Sequence, residues 1–105
     1  MALAVGSGQY LLRTFRSIEA TKNLLHPALE ILRKYDAENQ TMLRQTLSVF
    51  LNHERNQLFS ARAMHIHPNT MRYRLQRITE LTGLTLDDPE ELKYLRLSDW
   101  LEPTP

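Results

Sequence analysis

His67-Pro68-Asn69-Thr70-Met71-Arg72-Tyr73-Arg74-Leu75-Gln76-Arg77-Ile78-Thr79-Glu80-Leu81-Thr82-Gly83 is the stretch whose reading decides the fold. At about 100° per residue, Leu75, Ile78 and Thr82 fall within about 40° of Met71, while Asn69, Tyr73, Gln76 and Glu80 lie on the opposite side. This spacing predicts a helix with one face docked and one presented. Pro68 suits the first helical position, where its missing N–H costs nothing, and Gly83 suits the C-terminal stop. The presented face and its shoulders carry Asn, Arg, Tyr and Gln, side chains that bond phosphates and base edges. The stretch therefore reads as a DNA-recognition helix.

Immediately upstream, Gln57 to Met64 is expected to form a short helix with Leu58, Ala61 and Met64 turned inward. Asn56, at the end of the loop His53-Glu54-Arg55-Asn56, can cap it by accepting a backbone N–H. Ala61 is small enough to let a second helix cross close by. In the connection His65-Ile66-His67, Ile66 is the expected plug between the helices. The turn lacks glycine, so His65 is assigned a left-handed conformation, which His tolerates better than most residues. Ala61, Met64, Ile66, Met71, Leu75 and Ile78 together have helix-turn-helix spacing over about residues 56–83. Any three-helix bundle can share part of that pattern.

The remainder of the chain supports an all-α fold, a compact bundle of about five to six helices. Leu11, Leu12, Phe15 and Ile18 have helical spacing over Gln9 to about Glu19. Leu24, Leu25, Leu29 and Leu32 form a stripe for a helix from about Pro27 to Tyr35, ended by the polar run Asp36-Ala37-Glu38-Asn39-Gln40. Met42, Leu43, Leu47, Phe50 and Leu51 then mark a helix over roughly Asn39 to Asn52. After Gly83, Leu84-Thr85-Leu86 is a linker tucked against the bundle, and Asp87 or Asp88 caps a last helix that begins at Pro89. That helix is apolar on two sides, with Leu92 and Leu95 on one and Tyr94, Leu97 and Leu101 on another, so it calls for two partners. Residues 1–8 are expected to be a flexible lead-in without signal-peptide character, residues 9–102 the domain, and residues 103–105 a tail.

The chain has 105 residues, 42% hydrophobic and 24% charged, with no cysteine, which suits one small globular domain and excludes a disulfide framework or a cysteine-based site. No apolar run approaches the roughly 20 residues that cross a bilayer. The formal charge of +1 conceals a polarity. Residues 53–82 hold five arginines against two glutamates, a net +3, whereas residues 83–105 hold six acidic groups against two basic ones, a net −4. The positive field is centred on the proposed recognition helix.

At these residues the sequence also resembles a known family. The run Ala61-Arg62-Ala63-Met64-His65-Ile66-His67-Pro68-Asn69-Thr70-Met71-Arg72-Tyr73-Arg74-Leu75, with Ile78-Thr79-Glu80-Leu81-Thr82-Gly83, is similar to the C-terminal helix-turn-helix domain of the PucR/CdaR family of bacterial transcriptional regulators. The family's hallmark is His-x-Asn-Thr-x-x-Tyr-Arg-Leu, an Ile, and a Leu-Thr-Gly ending. Tyr10-Leu11-Leu12, Tyr35-Asp36, Gln45-Thr46-Leu47, Phe50-Leu51, Leu95 and Leu97 extend the resemblance over most of the chain. The start of the second helix also looks like the Fis-type helix-turn-helix. The resemblance implies a cytoplasmic, sequence-specific DNA-binding module, usually attached behind an N-terminal sensory region that answers to metabolites such as purine catabolites or sugar diacids. That region is not in this sequence. Two positions depart from the pattern. Pro68 stands where a basic residue is common, and Ser98-Asp99 replace a small apolar pair in the last helix, which bears on that helix's packing.

The site residues follow from position on the helix. Asn69, Arg72, Tyr73 and Gln76 project from the presented face and are the candidates for base readout, with plain solvent exposure as the alternative. Thr70 at the shoulder, Arg77 one turn further and Arg62 on the preceding helix are candidates for phosphate contact. His67 is either a phosphate contact or a helix cap. Arg74 lies beside the apolar stripe and is given a structural role with Ala61 and Ile66. Its stem would cover Met71 or Leu75, and its guanidinium would bond a carboxylate or helix-end carbonyl. His65 and His67, two apart, do not share a helix face, so no metal site is read there. No catalytic grouping, cofactor or membrane segment is expected. The expected partners are double-stranded DNA and a second copy of the chain. The other reading is a helical protein-interaction or dimerisation module without direct DNA contact.

Overall fold

The computed structural model describes Gly8 and residues 24–102, and among these there are five helices and no strand. They are α1 (Pro27–Asn39), α2 (Leu43–Asn52), α3 (Gln57–Ala63), α4 (Pro68–Thr82) and α5 (Pro89–Leu101). The helix expected over Gln9–Glu19 and the tail at 103–105 lie outside the described residues, as does the lead-in apart from Gly8. No described helix is long and apolar enough to cross a membrane.

α4 packs against α1, α2 and α3 and is the element around which the bundle closes. Met71 and Ile78 are fully buried, and Leu75 nearly so, among Leu29, Leu32, Leu47, Leu51 and Ala61. Burying such side chains contributes about 1.5–3 kcal/mol each. The expected docked face of α4 is therefore the observed one.

Two helix boundaries differ from expectation for one reason. α1 runs through the polar segment to Asn39, and α2 begins only at Leu43. Gln40, in the left-handed region at φ 55°, turns the chain, and its N–H bonds the Asp36 carbonyl at 2.7 Å. The Asp36 carboxylate reaches forward to accept the N–H groups of Leu43 (2.8 Å) and Arg44 (2.9 Å) and the Thr41 hydroxyl. A residue read as a helix breaker is thus the last-turn residue of one helix and the cap of the next. It satisfies donors that Met42, which makes no side-chain cap bond, leaves open.

α3 also requires a correction. Leu58, expected inside, is 55% exposed, and the buried positions are Ser60 and Ala61. Where two helices cross closely, the contact takes the small residues, and the Ser60 hydroxyl is satisfied by the Asn56 carbonyl at 2.6 Å. Asn56 caps the helix as expected, accepting from the Phe59 N–H at 2.9 Å.

Ser98 and Asp99 hold the last helix rather than loosening it. Ser98 Oγ accepts the His26 N–H at 2.9 Å. Asp99 forms a buried ion pair with Arg44 at 2.7 Å and accepts from the Ser48 hydroxyl at 3.0 Å. The same Arg44 donates to the Glu102 carbonyl. Asp88, not Asp87, caps α5 through the Glu90 N–H at 3.0 Å. Leu92 and Leu95 face the core, Leu84 is buried, and Leu86 packs on the core's edge. On the second side of α5, Leu97 is 52% exposed, and the Tyr94 hydroxyl donates to the Leu24 carbonyl at 2.7 Å.

Candidate nucleic-acid interface

α3 and α4 are joined by a turn of defined hydrogen bonding. The Ile66 N–H bonds the Ala61 carbonyl at 3.0 Å and the His65 N–H bonds the Arg62 carbonyl at 3.1 Å, with His65 at φ 56°. This is a Schellman stop built on His where Gly is usual, and it drives Ile66, the half-buried plug, back over Ala61. α4 then starts on His67, whose Nδ1 accepts the Asn69 N–H at 2.9 Å. His67 is therefore a cap. With Nδ1 used as an acceptor, the neutral ring carries its proton on Nε2 as a remaining donor. Gly83, at φ 72°, ends α4 with its N–H on the Thr79 carbonyl at 2.8 Å.

Asn69, Arg72, Tyr73 and Gln76 are all exposed on α4, Tyr73 at 66%. Arg72 Nη2 donates to Asn69 Oδ1 at 2.5 Å, so these two form one unit. The unit offers N–H donors from both the amide and the guanidinium, with one lone pair of Asn69 Oδ1 already engaged.

The other candidates divide. Thr70 and Arg62 are exposed. Arg77 is braced, with Nε and Nη2 donating to the Tyr35 hydroxyl at 3.3 and 3.2 Å, Nη1 on Glu80 at 3.2 Å, and the guanidinium 5.2 Å from the Tyr35 ring centroid. The Tyr35 bonds first, then Glu80, raise its already high pKa. Arg74, given a structural role above, is half-buried, and its partner among the described residues is neither a carboxylate nor a helix-end carbonyl. Its Nη1 lies 3.4 Å from the Thr46 hydroxyl, which itself donates to the Met42 carbonyl at 2.6 Å. Arg62, Arg72 and Arg74, all in the helix-turn-helix, have no carboxylate partner among the described residues. Beside α4, a cleft of about 330 Å³ opens between the α1–α2 turn and Thr70, Tyr73, Arg74 and Arg77.

Sequence reasoning missed Tyr35 and the cleft. The signal for Tyr35 was an aromatic residue ending the apolar stripe of α1. The cleft depends on where the α1–α2 turn comes to rest, which no local spacing encodes.

Residues 43–98 match the family of the PucR C-terminal helix-turn-helix domain. The chain is 40% identical over 72 residues to the carbohydrate diacid regulator of Escherichia coli (strain K12), covering 67% of this chain and 19% of that protein. It is 36% identical over 81 residues to the purine catabolism regulatory protein of Bacillus subtilis (strain 168), covering 77% and 15%. To the proline-responsive transcriptional activator PutR of the same organism it is 34% identical over 79 residues, covering 72% and 19%. The chain thus spans less than a fifth of the length of each of these relatives. No solved structure matches it. With α3, the Ile66 turn and α4 inside the matched residues, the chain belongs to the PucR C-terminal helix-turn-helix domain family.

Proposed function

We propose that this chain is the sequence-specific DNA-binding domain of a bacterial, metabolite-responsive transcriptional regulator, and that it reads the major groove with α4. The observation that carries the reading is the division of α4 between a fully docked side and an outward side of Asn69, Arg72, Tyr73 and Gln76. On this reading those four face base edges. His67 through Nε2–H, Thr70, Arg62 and the free N–H groups of Arg77 face phosphates. The donor-rich Asn69–Arg72 unit suits guanine, whose major-groove edge offers the N7 and O6 acceptors.

The relatives' names, a carbohydrate diacid regulator and a purine catabolism regulatory protein, support an effector-sensing region elsewhere in a longer cytoplasmic protein. A single helix-turn-helix has a small footprint, so the regulator works as a homodimer on half-sites about one helical turn or a multiple apart. The function is binding, without catalysis, and residues 9–102 form the functional unit.

Affinity for duplex DNA as a function of salt tests this. Neutralised phosphates release counterions, and the slope of log affinity against log salt is about −0.9 per contact. Arg62→Ala is expected to weaken all duplexes alike and to flatten the slope by about one contact. A folded protein with no salt-dependent affinity for any duplex would leave the protein-interaction module as the better reading.

A further inference from the structure

We propose that the cleft between the α1–α2 turn and α4 seats a DNA phosphodiester held by Arg74, so that the turn Gln40-Thr41-Met42, outside the helix-turn-helix, belongs to the DNA footprint. The proposal rests on the DNA-binding reading above and adds a phosphate site to it.

Four observations meet here. The first is size: at about 330 Å³ the cleft is at the small end of ligand pockets, which suits a phosphate with part of its sugar. The second is charge. Among the described residues Arg74 and Arg77 line the cleft and no carboxylate does. The nearby acids are already engaged, Glu80 by Arg77 and Asp36 by the first N–H groups of α2.

The third observation is the state of Arg74. Arg33, Arg44, Arg55 and Arg77 each have a carboxylate within ion-pair distance. Among the described residues Arg74 has one 3.4 Å contact, with a hydroxyl that is itself donating elsewhere. Most of its guanidinium fork is therefore available, half-buried where water screens it less, and suited to bidentate phosphate recognition. The fourth is position. Thr70, Arg74 and Arg77 are spaced to share one shoulder of α4, next to the base-facing side. With α4 in the major groove, the strand bordering that shoulder crosses the cleft mouth, where Met42 and Tyr73 are 48% and 66% exposed and can pack on sugars.

The test uses the duplex that the protein selects from a random library and measures affinity across a salt series. Arg74→Gln is expected to weaken binding about tenfold and to flatten the salt slope by about 0.9. Gln40→Glu, an exposed substitution on the turn that leaves the helix-turn-helix untouched, is expected to weaken binding several-fold with an unchanged helical spectrum. A single neutral methylphosphonate at the phosphate over the cleft should weaken the wild type but not Arg74→Gln. If both variants bind as the wild type does while Arg72→Ala still alters base preference, the cleft proposal is overturned and the DNA reading stands. If the wild type selects no duplex, both fall.

Discussion

His67 closes the first turn of α4 through Nδ1, in a place where Ser, Thr, Asp or Asn is usual. Removing the cap by His67→Ala should cost about 0.5–2 kcal/mol, and His67→Asn should restore most of it, as read by equilibrium urea unfolding. Equal loss in both variants would remove the cap from the account. Among the readout candidates, Arg72→Ala and Asn69→Ala should relax the preference for guanine at one shared position, because the two side chains act as one unit. Uniform weakening across all sequences would return both residues to plain solvent exposure. Residues governed by local rules were legible in the sequence: Pro68, Gly83, the Asn56 cap and the left-handed His65 all follow from near neighbours. Arg74 was not, because its hydrogen-bond partner among the described residues, Thr46, lies 28 positions upstream.

The same distinction between near and distant partners separates the elements. α4 was legible from His67 to Gly83 because its apolar stripe and both end signals lie within it. The end of α1 was not, since the Asp36 carboxylate serves donors seven and eight residues away. Nor was the role of Ser98 and Asp99, whose partners His26, Arg44 and Ser48 are remote in sequence. Asp99→Ala leaves the Arg44 charge buried without its ion-pair partner and should destabilise the domain by about 3–5 kcal/mol in urea unfolding. The paired change Arg44→Met with Asp99→Leu should recover much of that loss. If the pair is as damaging as the single change, the bridge is not what limits the docking of α5. At the end of α4, Gly83→Ala meets no atom within 4 Å, so its cost is backbone strain alone, about 1–2 kcal/mol.

At the scale of the whole molecule, a small net charge hides two segments of opposite sign, residues 53–82 and 83–105. Arg62, Arg72 and Arg74 of the helix-turn-helix have no carboxylate partner among the described residues, whereas Asp87, Asp88, Glu90 and Glu91 gather at the start of α5. A uniform basic domain would bind any polyanion. On the DNA-binding reading, such a local patch of arginine on α3 and α4 steers the duplex to the helix-turn-helix more than a uniformly basic surface does. The fold class and the identity of the presented helix were legible because they rest on periodicity. The cleft beside α4 was not, because it exists only once three helices have packed. The most direct test of the central claim is selection from a random duplex library at low salt by the purified protein. The expected result is enrichment of a half-site whose guanine preference shifts when Arg72 is replaced by Ala. No enrichment from a protein with a folded helical spectrum would contradict it.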